Sequence, residues 1–141
     1  MIVVGIDGSK GAAQALRFAA EEARLRQRGL RVVAAWHVPA TVYAGGPFAA
    51  SGAPATEFEH STRTAAERQM AQSLAAYPDI NHELLVIEGH PARVLLEQAA
   101  DADMLVVGSR GLGGFRGLLL GSVGQECAHH ATCPVAIVPH T

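Results

Sequence analysis

The chain has 141 residues, of which 49% are hydrophobic and 17% are charged, and its formal net charge is −2. This length suits one domain with a single core, so we expect residues 1–141 to form one domain. With 11 basic against 13 acidic residues, the chain has no basic field that would attract nucleic acid or anionic lipid. Lys10 is the only lysine, which argues against a P-loop lysine or a Schiff-base lysine elsewhere in the chain.

Short β-branched or apolar runs alternate with stretches whose apolar residues recur at helical spacing. The first strand is predicted over 2–6 and ends at Asp7-Gly8-Ser9. A helix over about 11–28 follows, and we expect Gly29 to end it as a C-cap glycine. The remaining predictions are a strand over 30–38, an irregular loop over 39–55, a helix over about 56–77, a strand over 84–87, a helix over 91–100, a strand over 104–107, a helix over about 122–130 and a strand over 135–138.

The order of these elements, β-α-β-α-β-α-β-α-β, predicts an α/β fold, a doubly wound five-stranded parallel sheet with helices on both faces. A mixed α+β sheet is the alternative. Ligands of doubly wound sheets bind beyond the carboxyl ends of the strands, where the strand order reverses. Asp7-Gly8-Ser9 follows the first strand and Gly108-Ser109-Arg110-Gly111 follows the fourth. Both segments should therefore lie at the ligand-binding edge.

Three features of the chain bear on the cellular compartment of the protein. No apolar run reaches the ~18 residues of a membrane span, and the first residues lack the basic region of a signal peptide. Cys127 and Cys133 cannot form a disulfide framework, which is typical of a reducing compartment. We therefore expect a cytoplasmic protein without membrane or nucleic-acid partners.

The segment 108–117 contains five glycines, which free the backbone to approach a ligand closely. A helix then opens at Gly121-Ser122, where unpaired amides and the helix dipole favour an anion. Arg110 and Arg116 are the nearby cations. The segment is not a P-loop, because Leu120 stands where that motif has lysine, and the turn after the first strand lacks G-x-G-x-x-G. A flexible connector is the alternative interpretation.

The spacing Gly108-x2-Gly111-x9-Gly121-Ser122 resembles the nucleotide-binding signature of the universal stress protein family. Three further segments are similar to the same family: Val3-Val4-Gly5-Ile6-Asp7-Gly8-Ser9, Gly89-His90-Pro91-Ala92 and Cys133-Pro134-Val135. The resemblance covers nearly the whole chain and is weakest over 39–55. It implies a Rossmann-like domain with sheet order 3-2-1-4-5, a homodimer with the last strand in its interface, and binding of ATP together with Mg²⁺.

The resemblance also implies roles for individual residues. Asp7 would lie near the ribose and near any Mg²⁺ bound to the phosphates, and Ala35 would offer its backbone to adenine. Val107 and Gly108 would line the ribose and phosphate region. The phosphates would be wrapped, mainly by backbone amides, by Arg110, Gly111, Gly121, Ser122 and Val123. Asp7 and Ser9 are also suited to a plain turn or N-cap before the first helix.

The resemblance thus implies an ATP-binding, nucleotide-responsive homodimer of the stress response, with adenine nucleotide as its partner and no catalytic residues. A slow ATP hydrolase or phosphotransferase is the second hypothesis, although no second carboxylate or histidine is placed as a base. A nucleotide-free interaction protein is the third. His129 and His130 do not suggest a metal site, because adjacent helix residues point about 100° apart.

Overall fold

The computed structural model describes residues 1–38, 55–111 and 120–139. Strands and helices alternate through this part of the chain. In chain order they are β1 Ile2–Gly5, α1 Lys10–Arg26, β2 Leu30–Trp36, α2 Ala55–Ser73, β3 His82–Glu88, α3 Pro91–Gln98, β4 Met104–Gly108, α4 Ser122–His130 and β5 Val135–Val138. None of the helices in the described ranges is long and apolar enough to cross a membrane. The loop predicted over 39–55 falls outside these ranges except at Ala55, where α2 begins.

The five strands form one sheet in the order β3-β2-β1-β4-β5, and every neighbouring pair is parallel. The predicted α/β fold with sheet order 3-2-1-4-5 is therefore confirmed, and the mixed α+β alternative is excluded. The chain builds outward from β1 through β2 to β3 and then returns to the other side of β1 with β4. The strand order thus reverses between β1 and β4, which is where a crevice opens at the carboxyl edge of such sheets.

Alternate residues of the central strands supply the cores on the two faces of the sheet. In β1, Val4 belongs to the core beneath α1 and α2, whereas Val3 belongs to the core beneath α3 and α4. In β4, Val106 and Val107 divide in the same way. Because successive side chains of a strand point to opposite faces, strands that are covered on both sides must be apolar throughout.

Small residues let α1 lie close to the sheet. Its buried face consists largely of alanines, including Ala15 and Ala19, which are fully buried. Where α1 crosses the end of β4, a Cβ atom at Gly108 would lie 3.2 Å from the backbone carbonyl group of Gly11. Gly108 is therefore needed for helix–sheet packing whether or not a ligand binds, because the backbone of α1 occupies the space that a side chain would need.

The expectation that Gly29 caps α1 is wrong. The helix ends at Arg26, and its C-cap is Gln27, which adopts the left-handed conformation with φ 54° and ψ 47°. The Arg28 N–H donates to the Ala23 carbonyl at 2.9 Å, and this bond closes the last turn before the chain reaches the glycine. Gly29 lies instead at the start of the sheet, where its carbonyl accepts a hydrogen bond from the Ile2 N–H.

Candidate functional site

The turn after β1 places Asp7, Gly8 and Ser9 at the carboxyl edge of the sheet. Ser9 is the N-cap of α1, and its Oγ accepts a hydrogen bond from the Ala12 N–H at 3.1 Å. Asp7 Oδ1 accepts a hydrogen bond from the Ser9 N–H at 3.0 Å. Gly8 supplies the positive φ of 86° that this turn requires. The plain turn and N-cap roles considered for Asp7 and Ser9 are thus present, and both residues also line the cavity described below.

The segment after β4 runs beside this turn. A Cβ atom at Gly111 would lie 2.5 Å from Asp7 Oδ2, so a side chain there would displace the Asp7 carboxylate. Two backbone hydrogen bonds hold the segment in place. The Ser109 N–H donates to the Val138 carbonyl at 2.9 Å, and the Ser109 carbonyl accepts from the Gly121 N–H at 2.7 Å. The prediction that both segments lie at one edge of the sheet is confirmed.

The N-terminus of α4 opens at the same edge, and among the described residues no side chain caps it. Its N-cap is Gly121, with φ −72° and ψ 171°, and no side chain bonds the first turn from that position. The first helical hydrogen bond runs from the Gln125 N–H to the Gly121 carbonyl at 3.0 Å. The amides of Ser122, Val123 and Gly124 precede it, so the helix itself offers them no carbonyl. Three such amides at the positive end of the helix dipole are suited to an anion.

The role implied for Gly121 changes in one respect. Its N–H already donates to Ser109, so it is not available as a phosphate donor. A Cβ atom at Gly121 would lie 3.5 Å from both the Arg110 Cα and the Ser109 carbonyl oxygen, which is ordinary contact. The methyl group of an alanine at position 121 would therefore fit without displacing protein atoms. A larger side chain would have to enter the adjoining cavity or displace the loop.

A cavity of about 620 Å³ lies between these three segments, within the size range of small-ligand sites. All nine residues implied as nucleotide ligands line it: Asp7, Ala35, Val107, Gly108, Arg110, Gly111, Gly121, Ser122 and Val123. The residues implied by the resemblance therefore meet at one cavity. Each lies at or just after the carboxyl end of a strand or at the first turn of a helix, so the strand order brings them together.

Ten further residues line the cavity beyond the nine implied as nucleotide ligands. They come from the ends of β1, β2 and β4 and from the N-terminal parts of α1, α3 and α4: Gly5, Ile6, Ser9, Ala12, Val33, His37, Pro91, Leu95, Ser109 and Gly124. Ser9 and Ser109 belong to the two segments predicted at the ligand-binding edge, whereas the other eight were not predicted there. Leu95 owes its place to Gly5, since a Cβ atom at Gly5 would lie 2.6 Å from a Leu95 methyl carbon. The Gly89-Pro91 turn at the start of α3 was a usable signal, because helices that follow parallel strands begin at the same edge. Trp36 is buried in the sheet and is not among the lining residues.

Few charged groups reach the cavity. Its described lining contains one carboxylate, Asp7, one guanidinium, Arg110, and one imidazole, His37. Within the described ranges, no cluster of three or more His, Cys, Asp or Glu side chains is arranged to hold a metal. Arg116, the second predicted cation, lies outside the described residues. The site is therefore suited to an anionic ligand held by amides, one helix dipole and one arginine.

The two cysteines lie in the core on the α4 face of the sheet. Cys127 is fully buried, and burial raises the pKa of its thiol to about 11. Burial also raises the pKa of Cys133, at the approach to β5. Both thiols are consequently protonated near neutral pH, and neither has the character of a nucleophile.

Known proteins of one family are similar to this chain over nearly its whole length. The model of the universal stress protein family matches residues 1–139. A universal stress protein of Mycobacterium tuberculosis is 34% identical over 141 residues, covering 96% of this chain and 44% of that protein. A universal stress protein of Thermus aquaticus is 35% identical over 142 residues and is covered over 96% of its length. The chain thus spans less than half of the mycobacterial relative and nearly all of the Thermus one.

Two solved structures that are similar to this chain are complexes with a nucleotide. A universal stress protein crystallised in complex with cAMP is 29% identical, with a TM-score of 0.67, over 97% of this chain and 94% of that one. The universal stress protein of Archaeoglobus fulgidus in complex with dAMP is 25% identical, with a TM-score of 0.58, over 97% of this chain and 95% of that one. Both ligands are adenine nucleotides.

Proposed function

The chain belongs to the universal stress protein family, and on that basis we propose that it binds an adenine nucleotide in the cavity at the carboxyl edge of its sheet. One observation carries the proposal. The amides of Ser122, Val123 and Gly124 open at the N-terminus of α4 without a side-chain cap, at a cavity of about 620 Å³. Anions bind at such helix termini because the amides and the helix dipole both favour negative charge.

The nucleotide we propose is ATP. Its phosphates would lie against the first turn of α4 and Arg110, and its base against the apolar wall formed by Val33, Ala35 and Leu95. The cAMP and dAMP complexes of related structures support adenine recognition in general. They also make the monophosphates the natural competitors in any binding measurement.

Mg²⁺ fits this site as a companion of the nucleotide rather than as a protein-bound ion. Mg²⁺ usually keeps several waters and takes one or two carboxylates together with phosphate oxygens. Asp7 is the one carboxylate among the described lining residues, and its turn is fixed by the hydrogen bond to the Ser9 N–H. Asp7 would contribute the protein's ligand, and the phosphates would contribute the others.

Binding without rapid turnover is the activity that we propose. Fast phosphoryl transfer needs a group that activates the nucleophile, in addition to charge stabilisation. Apart from Asp7, His37 is the only described lining residue whose side chain is of a type that serves as a general base, and it follows β2 rather than the phosphate-binding segments that we propose. We expect ATP to be held rather than consumed, at a turnover well below ~1 s⁻¹, the low end of typical enzymes.

We further propose that residues 1–141 act as one domain in a homodimer joined through β5, and that nucleotide occupancy alters the dimer. β5 is an edge strand that pairs with β4 in the sheet. Its last residue, Val138, accepts the Ser109 N–H from the segment that would surround the phosphates. This bond supports a link between the ligand and the strand at which a second copy would dock.

Isothermal titration of the nucleotide-stripped chain with ATP, AMP and cAMP, each with and without Mg²⁺, tests the proposal. We expect saturable binding of all three at one site per chain, with ATP binding most tightly in Mg²⁺. Ion-exchange chromatography of a denatured extract would identify any nucleotide that co-purifies. Absence of binding for all three nucleotides would contradict the proposal and favour an interaction protein with an empty cavity.

A further inference from the structure

Gln69 reaches the turn after β1 from α2, about 60 residues away in the chain. It is 9% exposed, although glutamine is usually found at the surface. Its side-chain amide makes two hydrogen bonds with consecutive residues of the turn. Nε2 donates to the Ser9 carbonyl at 3.0 Å, and Oε1 accepts from the Gly8 N–H at 3.3 Å. The amide thus pairs with the turn backbone as a neighbouring peptide group would.

The other hydrogen bonds described for the turn come from the turn itself and from α1. Asp7 Oδ1 accepts the Ser9 N–H, Ser9 Oγ accepts the Ala12 N–H, and the Ser9 carbonyl accepts the Ala13 N–H. These three bonds hold the turn to its own helix. Across the crevice, Gly111 leaves room for Asp7 Oδ2. Gln69 supplies an external attachment at Gly8, which adopts a positive φ and, having no side chain, has the widest conformational range in the turn.

We propose that Gln69 is a positioning residue for nucleotide binding, which holds the Asp7–Ser9 turn so that the Asp7 carboxylate faces the ligand. The inference rests on the proposed function. Gln69 does not line the cavity, so it acts through the turn and not by touching the nucleotide. Removing the Gln69 amide leaves the Gly8 N–H without this partner and allows the turn to relax. Nucleotide binding would then have to order the turn, which lowers the affinity.

A double-mutant cycle between Gln69 and Asp7, measured as the affinity of the full-length, nucleotide-stripped chain for ATP in Mg²⁺, tests this role. Gln69→Met keeps the length of the buried side chain and removes both hydrogen bonds. We expect about fivefold to tenfold weaker binding, the equivalent of one net hydrogen bond. In an Asp7→Asn background the same substitution should change the affinity by less than about twofold, because the group being positioned is gone.

Ser73→Ala is the matched control. Ser73 is a buried polar residue one turn further along α2, and it makes none of the hydrogen bonds described for the turn. We expect it to leave the ATP affinity unchanged even where it lowers the melting temperature. If Gln69→Met does not fold, Gln69→Glu replaces it, since it keeps an acceptor for the Gly8 N–H but turns an oxygen toward the Ser9 carbonyl. It should also weaken binding.

The possible failures are distinguishable. If the unmodified chain binds no nucleotide, the proposed function is wrong and this inference fails with it. If the unmodified chain binds ATP and a folded Gln69 variant binds it equally well, the inference alone is overturned. Full additivity of the Gln69 and Asp7 substitutions would likewise overturn it, because a merely structural role predicts no coupling to Asp7.

Discussion

The first turns of α1 and α4 both begin at the carboxyl edge of the sheet, one strand apart, and they are completed differently. At α1 the Ser9 hydroxyl accepts the Ala12 N–H, so the protein caps its own helix. At α4 a glycine occupies the N-cap, and no side chain bonds the first turn from it. A sequence that can cap a helix with serine but places glycine at the equivalent position gives up local stability there and leaves amides for a ligand. The difference separates a helix end that the protein caps from one whose amides are left for the ligand that we propose.

The largest loss of ligand affinity is expected when a side chain fills the space at the uncapped N-terminus of α4. In Gly121→Val, the branched side chain must extend beyond the point where a Cβ atom already lies 3.5 Å from the loop backbone. We expect ATP affinity to fall at least about a hundredfold, or about 2.7 kcal/mol, by isothermal titration. Gly121→Ala is the graded control and should bind with an intermediate affinity. An unchanged affinity in a folded Gly121→Val protein would mean that the ligand lies elsewhere.

Gly111→Ala tests the contact between the two segments. Its Cβ atom would lie 2.5 Å from Asp7 Oδ2, so the carboxylate must move. We expect about thirtyfold weaker ATP binding, or about 2 kcal/mol, because the Asp7 position and the approach of the loop are disturbed together. Gly29→Ala, at the opposite end of the sheet, is the control and should bind ATP as tightly as the unmodified chain. Equal affinities in both variants would show that Asp7 has no part in the site.

Asp7→Asn isolates the charge from the turn geometry. Asparagine retains the acceptor for the Ser9 N–H but removes the negative charge that would attract Mg²⁺. In Mg²⁺ we expect about tenfold weaker ATP binding, equivalent to about 1.4 kcal/mol. With the metal chelated, the affinity should stay the same or rise, since a carboxylate repels phosphate. A loss of the same size in both conditions would argue against a metal role for Asp7.

The smallest effects are expected from serine-to-alanine substitutions at the two helix ends, which should differ in their consequences for stability and for binding. Ser9→Ala removes a cap and should lower the free energy of unfolding by about 1 kcal/mol. Ser122→Ala should leave that free energy within about 0.5 kcal/mol of the unmodified chain, as for a surface substitution, and weaken ATP binding about threefold. Urea unfolding and titration on the same samples measure both quantities. If Ser122→Ala destabilised the chain as much as Ser9→Ala does, the contrast between a capped and an open helix would fail.

The sequence predicted the architecture because the signals were local and repeated. Apolar runs such as 104–107 and helical stripes such as that of α1 recur in a strict alternation, and the topology rules then place Asp7 near Gly111. The role of Gln69 could not be predicted from the sequence, because its hydrogen bond to Ser9 joins residues 60 positions apart and no pattern in α2 marks this glutamine. The cap of α1 was misassigned because Gln27, a residue with a side chain, adopts the conformation that glycine usually takes. The first of these details depends on a tertiary hydrogen bond and the second on an unusual backbone conformation, and neither is marked by a local sequence pattern.

Ser109 gives the fold a mechanical property that side-chain substitution cannot readily remove. Its N–H is bonded to the end of the outermost strand and its carbonyl to the amide that opens α4. Both attachments are main-chain groups, so they are present whatever side chain the position carries, proline excepted. The rim of the crevice and the margin of the sheet are therefore attached to the same residue, through main-chain groups alone.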